Sequence, residues 1–138
     1  MTFEKKKLVT YTLPRPFFKI NIPIPIQSAY LRDYATRNGL VFTLPTTEVC
    51  FEKSYYALGN LLRQLKNEDH FAAVSILALP LEDPVIFDKL KKLVEGRGSI
   101  TFHFPLEGFV GSIQKVMSWR EDFLFMRRSS SKSTNKGF

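Results

Sequence analysis

The chain has little of what several protein classes require. Its 138 residues include a single cysteine, Cys50, so an intramolecular disulfide framework and a cysteine-rich metal site are both excluded, and we expect a free thiol. No apolar run approaches the roughly 20 residues that a membrane span needs. The N-terminal residues lack the apolar core and the cleavage site of a signal peptide. The sequence therefore predicts a protein without a membrane span, with a cytoplasmic location.

Catalytic motifs of high specificity are also missing. The sequence has no phosphate-binding G-x-x-x-x-G-K-[ST], no G-x-G-x-x-G after the first predicted strand, no G-x-S-x-G and no H-E-x-x-H. The two histidines, His70 and His103, are far apart and have no carboxylate at ligand spacing, which favours structural roles for both. The sequence therefore predicts no metal and no cofactor.

The net charge of +7 is concentrated at the two ends of the chain. Residues 1–7 carry three lysines against one glutamate, and residues 127–138 carry four basic residues and no acidic one. The residues between them are nearly neutral, whereas a DNA-binding fold normally has a basic stripe on an ordered face. We expect a basic segment at 1–7, one folded domain at 8–126 and a disordered basic tail at 127–138, and this distribution argues against nucleic acid as a partner.

Apolar periodicity and chain breakers alternate as in an α/β fold. Strands are predicted at 8–13, 40–44, 72–79 and 100–104, and the continuous apolar run at 72–79 is typical of a central strand. Pro23 and Pro25 keep the first connector extended, so the first helix is predicted to start near Gln27 or Ser28. Further helices are predicted at 54–66, 84–96 and 112–119, and residues 122–126 fit either an edge strand or more helix. Together these elements predict a three-layer sandwich with a mainly parallel sheet of four to five strands.

Candidate functional residues follow the predicted strands. The carboxyl ends of parallel strands meet at one edge of a sheet, where ligands bind in open α/β folds. We expect Arg15, Glu48 and Glu107 to lie around one concave opening at this edge, within roughly 10 Å of one another. Glu48 and Glu107 are candidate catalytic residues, acting as general acid and general base. Arg15 is a candidate anion-binding residue, and Tyr11 and Thr47 would line the pocket.

Structural roles are the alternative interpretation of the same residues. A glutamate at a strand end often caps a neighbouring helix or pairs with an arginine. Asp33 and Arg37 are four residues apart on the first helix, which is the spacing of an ordinary solvated ion pair. The sequence leaves both interpretations open.

Several short segments resemble those of the bacterial sporadic carbohydrate cluster protein family. The likeness covers most of residues 8–110 and is carried by YTLPRP at 11–16, RDY at 32–34, RNG at 37–39, TE at 47–48 and FPLEG at 104–108, with a glutamine at position 27. The chain departs from the family pattern at Pro14, Thr46 and Pro105. A more distant likeness to the catalytic domain of serine recombinases lacks the serine nucleophile, since the first strand ends in Leu13 and Pro14.

The resemblance implies a role beside enzymes of surface-polysaccharide biosynthesis and a flavodoxin-like or resolvase-like fold. It also implies functional roles for a set of ligand-binding candidates: Tyr11, Arg15, Gln27, Arg32, Tyr34, Arg37, Asn38 and Thr47, together with Glu48 and Glu107. We expect a small protein that binds or transforms an anionic, sugar-derived small molecule. One alternative is a non-catalytic, homodimeric interaction or regulatory subunit, and another is a recombinase-like nucleic-acid-binding protein without the catalytic serine.

Overall fold

The computed structural model describes residues 6–16, 21–49, 51, 54–95 and 99–134, the side chains of residues 126–134 excepted. These residues form an α/β domain with a mixed sheet. The strands are β1 (Lys7–Thr12), β2 (Val41–Phe42), β3 (Thr46–Thr47), β4 (His70–Ala72), β5 (Thr101–Phe104) and β6 (Phe109–Gly111). The helices are α1 (Ile24–Arg37), α2 (Tyr56–Gln64), α3 (Pro84–Glu95) and α4 (Ile113–Thr134). The predicted α/β class is therefore confirmed.

The sheet has the order β2-β1-β4-β5-β6, and β3 also pairs with β1, beyond β2 along the same edge. Strands β1 to β5 pair in parallel, with Leu8 opposite His70 and Ala72 opposite His103. The last pairing, β5 with β6, is antiparallel. Strand β4 occupies the middle of the sheet, although it overlaps the predicted central strand, 72–79, at Ala72 alone.

Two apolar clusters cover opposite faces of the sheet, because successive side chains of a strand point to opposite sides. On one face, Leu8 and Ala72 pack against Leu31 and Ala35 of α1. The other face carries the larger cluster, in which strand residues pack against α2, α3 and α4; its members include Tyr11, Phe71, Phe102, Leu58, Leu62, Phe87, Leu90 and Val116. Helix α1 therefore covers one face without another helix of the described chain beside it.

Helix α1 begins three residues earlier than the predicted Gln27. Pro23 precedes the helix and Pro25 lies in its first turn. Proline is tolerated there because the first backbone N–H groups of a helix have no partner within the helix. The assumption that Pro25 excludes helix was therefore wrong.

Two short strands, β3 and β6, were not predicted, and the third predicted strand is shorter than its apolar run. Strand β4 ends at Ala72, and Ile76–Ala78 form a 3₁₀ turn. An apolar run of this length reports burial rather than backbone conformation. Strand β6 follows a second 3₁₀ turn, Pro105–Glu107, and Gly108, which adopts a left-handed conformation with φ of 65°. That turn reverses the chain and makes β6 antiparallel.

Helix α4 occupies the end of the described chain and overlaps the predicted basic tail, 127–138, up to Thr134. Helix α4 continues through residues 122–126 and on to Thr134. Neither glycine nor proline occurs between Ile113 and Thr134, so nothing in the backbone chemistry stops the helix. The predictions for Cys50, for most of the N-terminal basic segment and for residues 135–138 fall outside the described residues. In the part of the chain that is described, no helix has the length and apolar character needed to cross a membrane.

The effect of replacing glycine by alanine should depend on the backbone conformation of the glycine, and two glycines of this protein allow the comparison. Gly39 ends α1 with φ of 66°, whereas Gly59 lies inside α2, where an added Cβ would meet no heavy atom within 4 Å. Gly39→Ala should lower the free energy of unfolding by about 1 kcal/mol, because an L-residue is strained in the left-handed region. Gly59→Ala should raise it by up to about 1 kcal/mol, since alanine is the better helix former. Urea unfolding of both variants measures the two changes, and equal effects would contradict the assignment.

Candidate functional site

The predicted site residues fall into two groups at opposite ends of the sheet. Tyr11, Arg15, Gln27, Thr47, Glu48 and Glu107 lie in or near the carboxyl ends of the parallel strands. Helix α1 starts at this edge and runs back to the amino edge, where β2 begins and Val41 donates to the Lys6 carbonyl at 2.9 Å. Arg37 and Asn38, at the end of α1, are therefore remote from the carboxyl edge.

Glu48 is a buried carboxylate, 3% exposed, that accepts hydrogen bonds from three elements. Its Oε1 accepts from the backbone N–H groups of Val49 and Ala57 at 3.0 and 2.9 Å. Its Oε2 accepts from the Leu58 N–H at 3.0 Å and from the Tyr11 hydroxyl at 2.9 Å. These donors occupy the roughly four acceptor positions of a carboxylate. Glu48 thus caps the first turn of α2, for which the residue before the helix supplies no side-chain cap.

The charge of Glu48 also affects the pKa of Tyr11. Burial, and then the adjacent carboxylate, raise the pKa of the Tyr11 phenol far above its ordinary value. Tyr11 is fully buried, and its ring stacks on Phe71 with centroids 6.4 Å apart. It therefore serves as a neutral hydrogen-bond donor that joins β1 to the capping carboxylate.

Arg15 anchors the segment that leads into α2. Its two Nη atoms donate to the carbonyl oxygens of Phe51 and Ser54. The guanidinium carbon lies 5.0 Å from the ring centroid of Tyr55, a cation–π arrangement. Burial raises the pKa of Tyr55, while the Arg15 charge acts in the opposite direction. Glu48 therefore binds both ends of the connection between β3 and α2, and Arg15 binds its middle.

Gln27 ties α1 to the end of β1. Its Oε1 accepts from the Leu13 N–H at 3.1 Å, and its Nε2 donates to the Leu13 and Ile22 carbonyls at 2.8 and 2.7 Å. Both amide protons of Gln27 are donated to backbone carbonyls, and 1% of the residue is exposed, so Gln27 has a structural role at this edge. Thr47 makes a comparable link between strands, since its hydroxyl lies 2.9 Å from that of Thr12.

Glu107 lies at the same edge but serves a different turn. Its Oε2 accepts from the Ser75 hydroxyl at 2.7 Å, and its Oε1 accepts from the Ile76 N–H at 2.6 Å, where the 3₁₀ turn after β4 begins. Glu107 therefore bonds at the exit of β4, whereas Glu48 bonds to Tyr11 of the neighbouring β1 and to α2. The two glutamates thus cap two different turns, each with its own donors.

The candidates on the later part of α1 have local partners. Arg32 lies over the Phe42 ring with its guanidinium carbon 5.2 Å from the centroid. Arg37 pairs with Asp33 at 2.9 Å on an exposed surface, as the alternative interpretation predicts. The Asn38 side chain donates to the Tyr34 carbonyl at 2.8 Å and helps to end the helix.

Tyr34 belongs to a hydrogen-bonded cluster that sequence reasoning missed. Its hydroxyl lies 2.6 Å from Nδ1 of His103, and Nε2 of His103 lies 2.8 Å from Nδ1 of His70. The two histidines look unrelated in the sequence because they are 33 positions apart. Parallel pairing of β4 with β5 brings them together on the face that α1 covers. The alternation of His103 with Phe102 and Phe104 was the available signal, since it points His103 to the other face.

Burial keeps both imidazoles uncharged near neutral pH. It lowers the pKa of His103 to about 4, and His70 adds to the effect. Burial also lowers the pKa of His70, together with the Lys6 charge, while Asp69 opposes the shift. Burial raises the pKa of the Tyr34 phenol. The cluster is therefore a line of three neutral groups at pH 7.

The described residues include no group of three or more His, Cys, Asp and Glu side chains able to hold a metal. A cavity of about 20 Å³ lies between the sheet and α2 and α3, and it is lined by apolar side chains and by Lys91. It lacks polar partners and has room for about one water, so it is a packing defect in the core. In comparison with known proteins, no family model and no curated protein matches this chain.

Glu48→Gln should lower the free energy of unfolding by about 2 to 4 kcal/mol. The substitution replaces an acceptor oxygen by an NH₂ group, which then faces backbone donors in a buried position. Tyr11→Phe removes one hydrogen bond and should cost about 1 kcal/mol. Urea unfolding measures both changes. Glu121→Gln, on the exposed surface of α4, is the matched control and should change stability by less than about 0.5 kcal/mol. Equal losses for Glu48→Gln and the control would contradict the capping role.

Stability should fall on acidification because His103 is neutral in the folded protein. The folded pKa is about 4, whereas the unfolded value is 6.5. As the pH drops below 6.5, His103 is therefore protonated in the unfolded state before it is protonated in the folded state. The stability that neutral His103 contributes is fully present above pH 6.5 and is lost below it. Between pH 7.5 and 5.0 the wild type should lose about 2 kcal/mol more than His103→Asn, which cannot titrate there. Parallel losses in the two proteins would contradict the neutral assignment.

Proposed function

We propose that this protein binds an anionic, sugar-derived small molecule at the carboxyl edge of its sheet, beside the start of α2. The observation that carries the proposal is the position of Arg15, which is half-exposed and lies over Tyr55 at the end of β1. The resemblance to the sporadic carbohydrate cluster family supplies the sugar class. Binding, with catalysis left aside, is the activity that the geometry supports best.

Exposed aromatic residues in and next to the loop that Arg15 binds suit a sugar derivative. Phe51, whose carbonyl accepts from Arg15, is 78% exposed, and Tyr56 is 70% exposed. Aromatic rings of this kind offer an apolar face and, for tyrosine, a polar tip. Arginine presents donors in a fork that matches the geometry of a carboxylate or a phosphate. Arg15 has five N–H donors; two donate to the Phe51 and Ser54 carbonyls and another contacts the Tyr55 hydroxyl, so donors remain for an anion.

Glu48 has a supporting role in this proposal. An anion would ordinarily bind at a helix N-terminus such as that of α2, but the Glu48 carboxylate already accepts from Ala57 and Leu58 there. The ligand anion is therefore assigned to Arg15 alone. Glu48 and Glu107 act as positioning residues that fix the two loops of this edge, in place of the acid and base roles expected from the sequence.

The proposal includes a more specific fold type. A three-layer sandwich of the flavodoxin or resolvase type is supported by the parallel order of β2, β1, β4 and β5 and by helices packed on both faces. In doubly wound sheets of this order the ligand lies at the carboxyl ends of the strands.

The second candidate function is that of an interaction subunit that forms a homodimer. Strand β2 lies at the sheet edge; Val41, within it, is 41% exposed, and Leu44, just after it, is 88% exposed. An exposed edge with apolar side chains is a template for pairing with a second chain. Sedimentation velocity of the wild type distinguishes this subunit role from a monomeric binding protein.

Arg15→Ala should weaken binding of an acidic sugar nucleotide by at least about tenfold, since a charge-assisted contact contributes about 1.5 to 3 kcal/mol. UDP-glucuronate is a suitable probe, measured by isothermal titration calorimetry. Arg15→Lys should restore part of the affinity because it retains the charge without the fork.

Arg120→Ala is the matched control, because Arg120 also lies over an aromatic ring, Phe87, at 4.9 Å, but on α4. It should leave the affinity unchanged. Equal weakening by both substitutions, or binding that Arg15→Ala leaves intact, would remove the basis of the anion site. Thermal unfolding of each variant separates loss of the site from loss of the fold.

A further inference from the structure

The face of the sheet that α1 covers is only partly covered by the described chain. Its apolar cluster joins α1 to β1, β2 and β4, whereas α2, α3 and α4 pack on the opposite face. Val110 of β6 lies opposite His103 of β5 in the register, so its side chain is on the α1 side, where it is 53% exposed. The part of this layer over β6 therefore holds no helix of the described residues.

Helix α1 carries an exposed stripe on the flank that faces this uncovered part. Tyr34 reaches His103 of β5, so the flank that carries Tyr34 is the one nearer to β5 and β6. Side chains three or four residues apart lie on one side of a helix. The stripe follows this spacing beside Tyr34 and consists of Ile26, Tyr30, Asp33 and Arg37.

The stripe has an uncharged half and a polar half. Ile26 is 58% exposed and Tyr30 is 42% exposed, and residues 21–31 contain no charged side chain. The centres of protein interfaces are likewise depleted of charge and enriched in aromatic residues. In the other half, Asp33 and Arg37 form an exposed ion pair at 2.9 Å. The stripe as a whole is therefore neutral, so two copies of it do not repel each other.

The two halves complement each other when the stripe meets a second copy of itself in antiparallel orientation. A two-fold axis between residues 31 and 32 places Tyr30 opposite Asp33 of the partner subunit and Ile26 opposite Arg37 of the partner subunit. The tyrosine hydroxyl can then donate to the carboxylate, and the isoleucine can pack on the apolar stem of the arginine. The symmetry makes each of these contacts occur twice.

The β2 edge offers less to a second copy than this stripe does. Strand β2 has two residues. The carbonyl of Thr43, which follows it, already accepts from the Thr10 hydroxyl at 2.9 Å, and Pro45 has no N–H group to donate. A chain that paired with this edge would therefore find few free backbone groups.

We propose that a second copy of this chain packs antiparallel against α1, so that each α1 lies beside the other and over the uncovered β6 of the other copy. The dimer buries Ile26, Tyr30 and Val110 of both copies and places the two α1 helices in one layer between two sheets. The inference rests on the second candidate function, a homodimer, and assigns its interface to α1.

The interface is tested by sedimentation velocity of the full chain over a range of concentrations. The wild type should sediment as a dimer. Ile26→Lys should raise the dissociation constant at least about tenfold, because it places a second positive charge opposite Arg37 of the partner subunit. Ile26→Asp should dimerise more tightly than Ile26→Lys, since its carboxylate meets the same guanidinium.

Val85→Lys is the matched control. Val85 is 63% exposed and, like Ile26, lies in the first turn of a helix, but on α3 at the opposite face. This variant should remain a dimer, and thermal unfolding checks that each variant folds. A monomeric wild type would overturn both the inference and the homodimer.

Three further outcomes would overturn the inference alone. Dissociation by Leu44→Lys with a dimeric Ile26→Lys would assign the homodimer to the β2 edge. Equal weakening by Ile26→Lys and Ile26→Asp would contradict the antiparallel pairing with Arg37. Equal weakening by Ile26→Lys and Val85→Lys would show that added charge on either face prevents association. Binding of UDP-glucuronate, measured separately, reports on the anion site at Arg15.

Discussion

The carboxylate of Glu48 at the first turn of α2 is the interaction on which the carboxyl edge depends. It lies at the end of β3, accepts from Tyr11 in β1 and caps α2 at Ala57 and Leu58. A charged acceptor with four donors offsets the cost of burying it, whereas loss of any one donor or of the charge leaves buried polar groups unpaired. The strand exit, the loop and the helix are therefore fixed as one unit.

Arg15 gains its position from the same unit. Its guanidinium binds two carbonyls of the loop whose ends Glu48 binds, and it lies against the Tyr55 ring. The Tyr34 cluster differs in kind, because burial keeps its two imidazoles and its phenol neutral at pH 7.

The sequence indicated that Glu48 and Glu107 follow strands, but it did not indicate which groups their carboxylates bind. Glu48 and Glu107 were expected as one pair because both follow strands. Their hydrogen-bond donors differ, since Glu48 caps α2 and Glu107 caps the 3₁₀ turn after β4. Sequence spacing alone contains no information about which backbone donors surround a side chain at a strand exit.

Local chemistry in the sequence determined the α/β class and the positions of α2 and α3. Apolar periodicity and helix stop signals act over a few residues, so they are readable without the fold. Only the tertiary structure decided that Gln27 binds backbone, that Glu48 caps a helix, and that His70 meets Tyr34 through His103. Each of these contacts joins separate elements, and a hydrogen bond of about 3 Å depends on their packing.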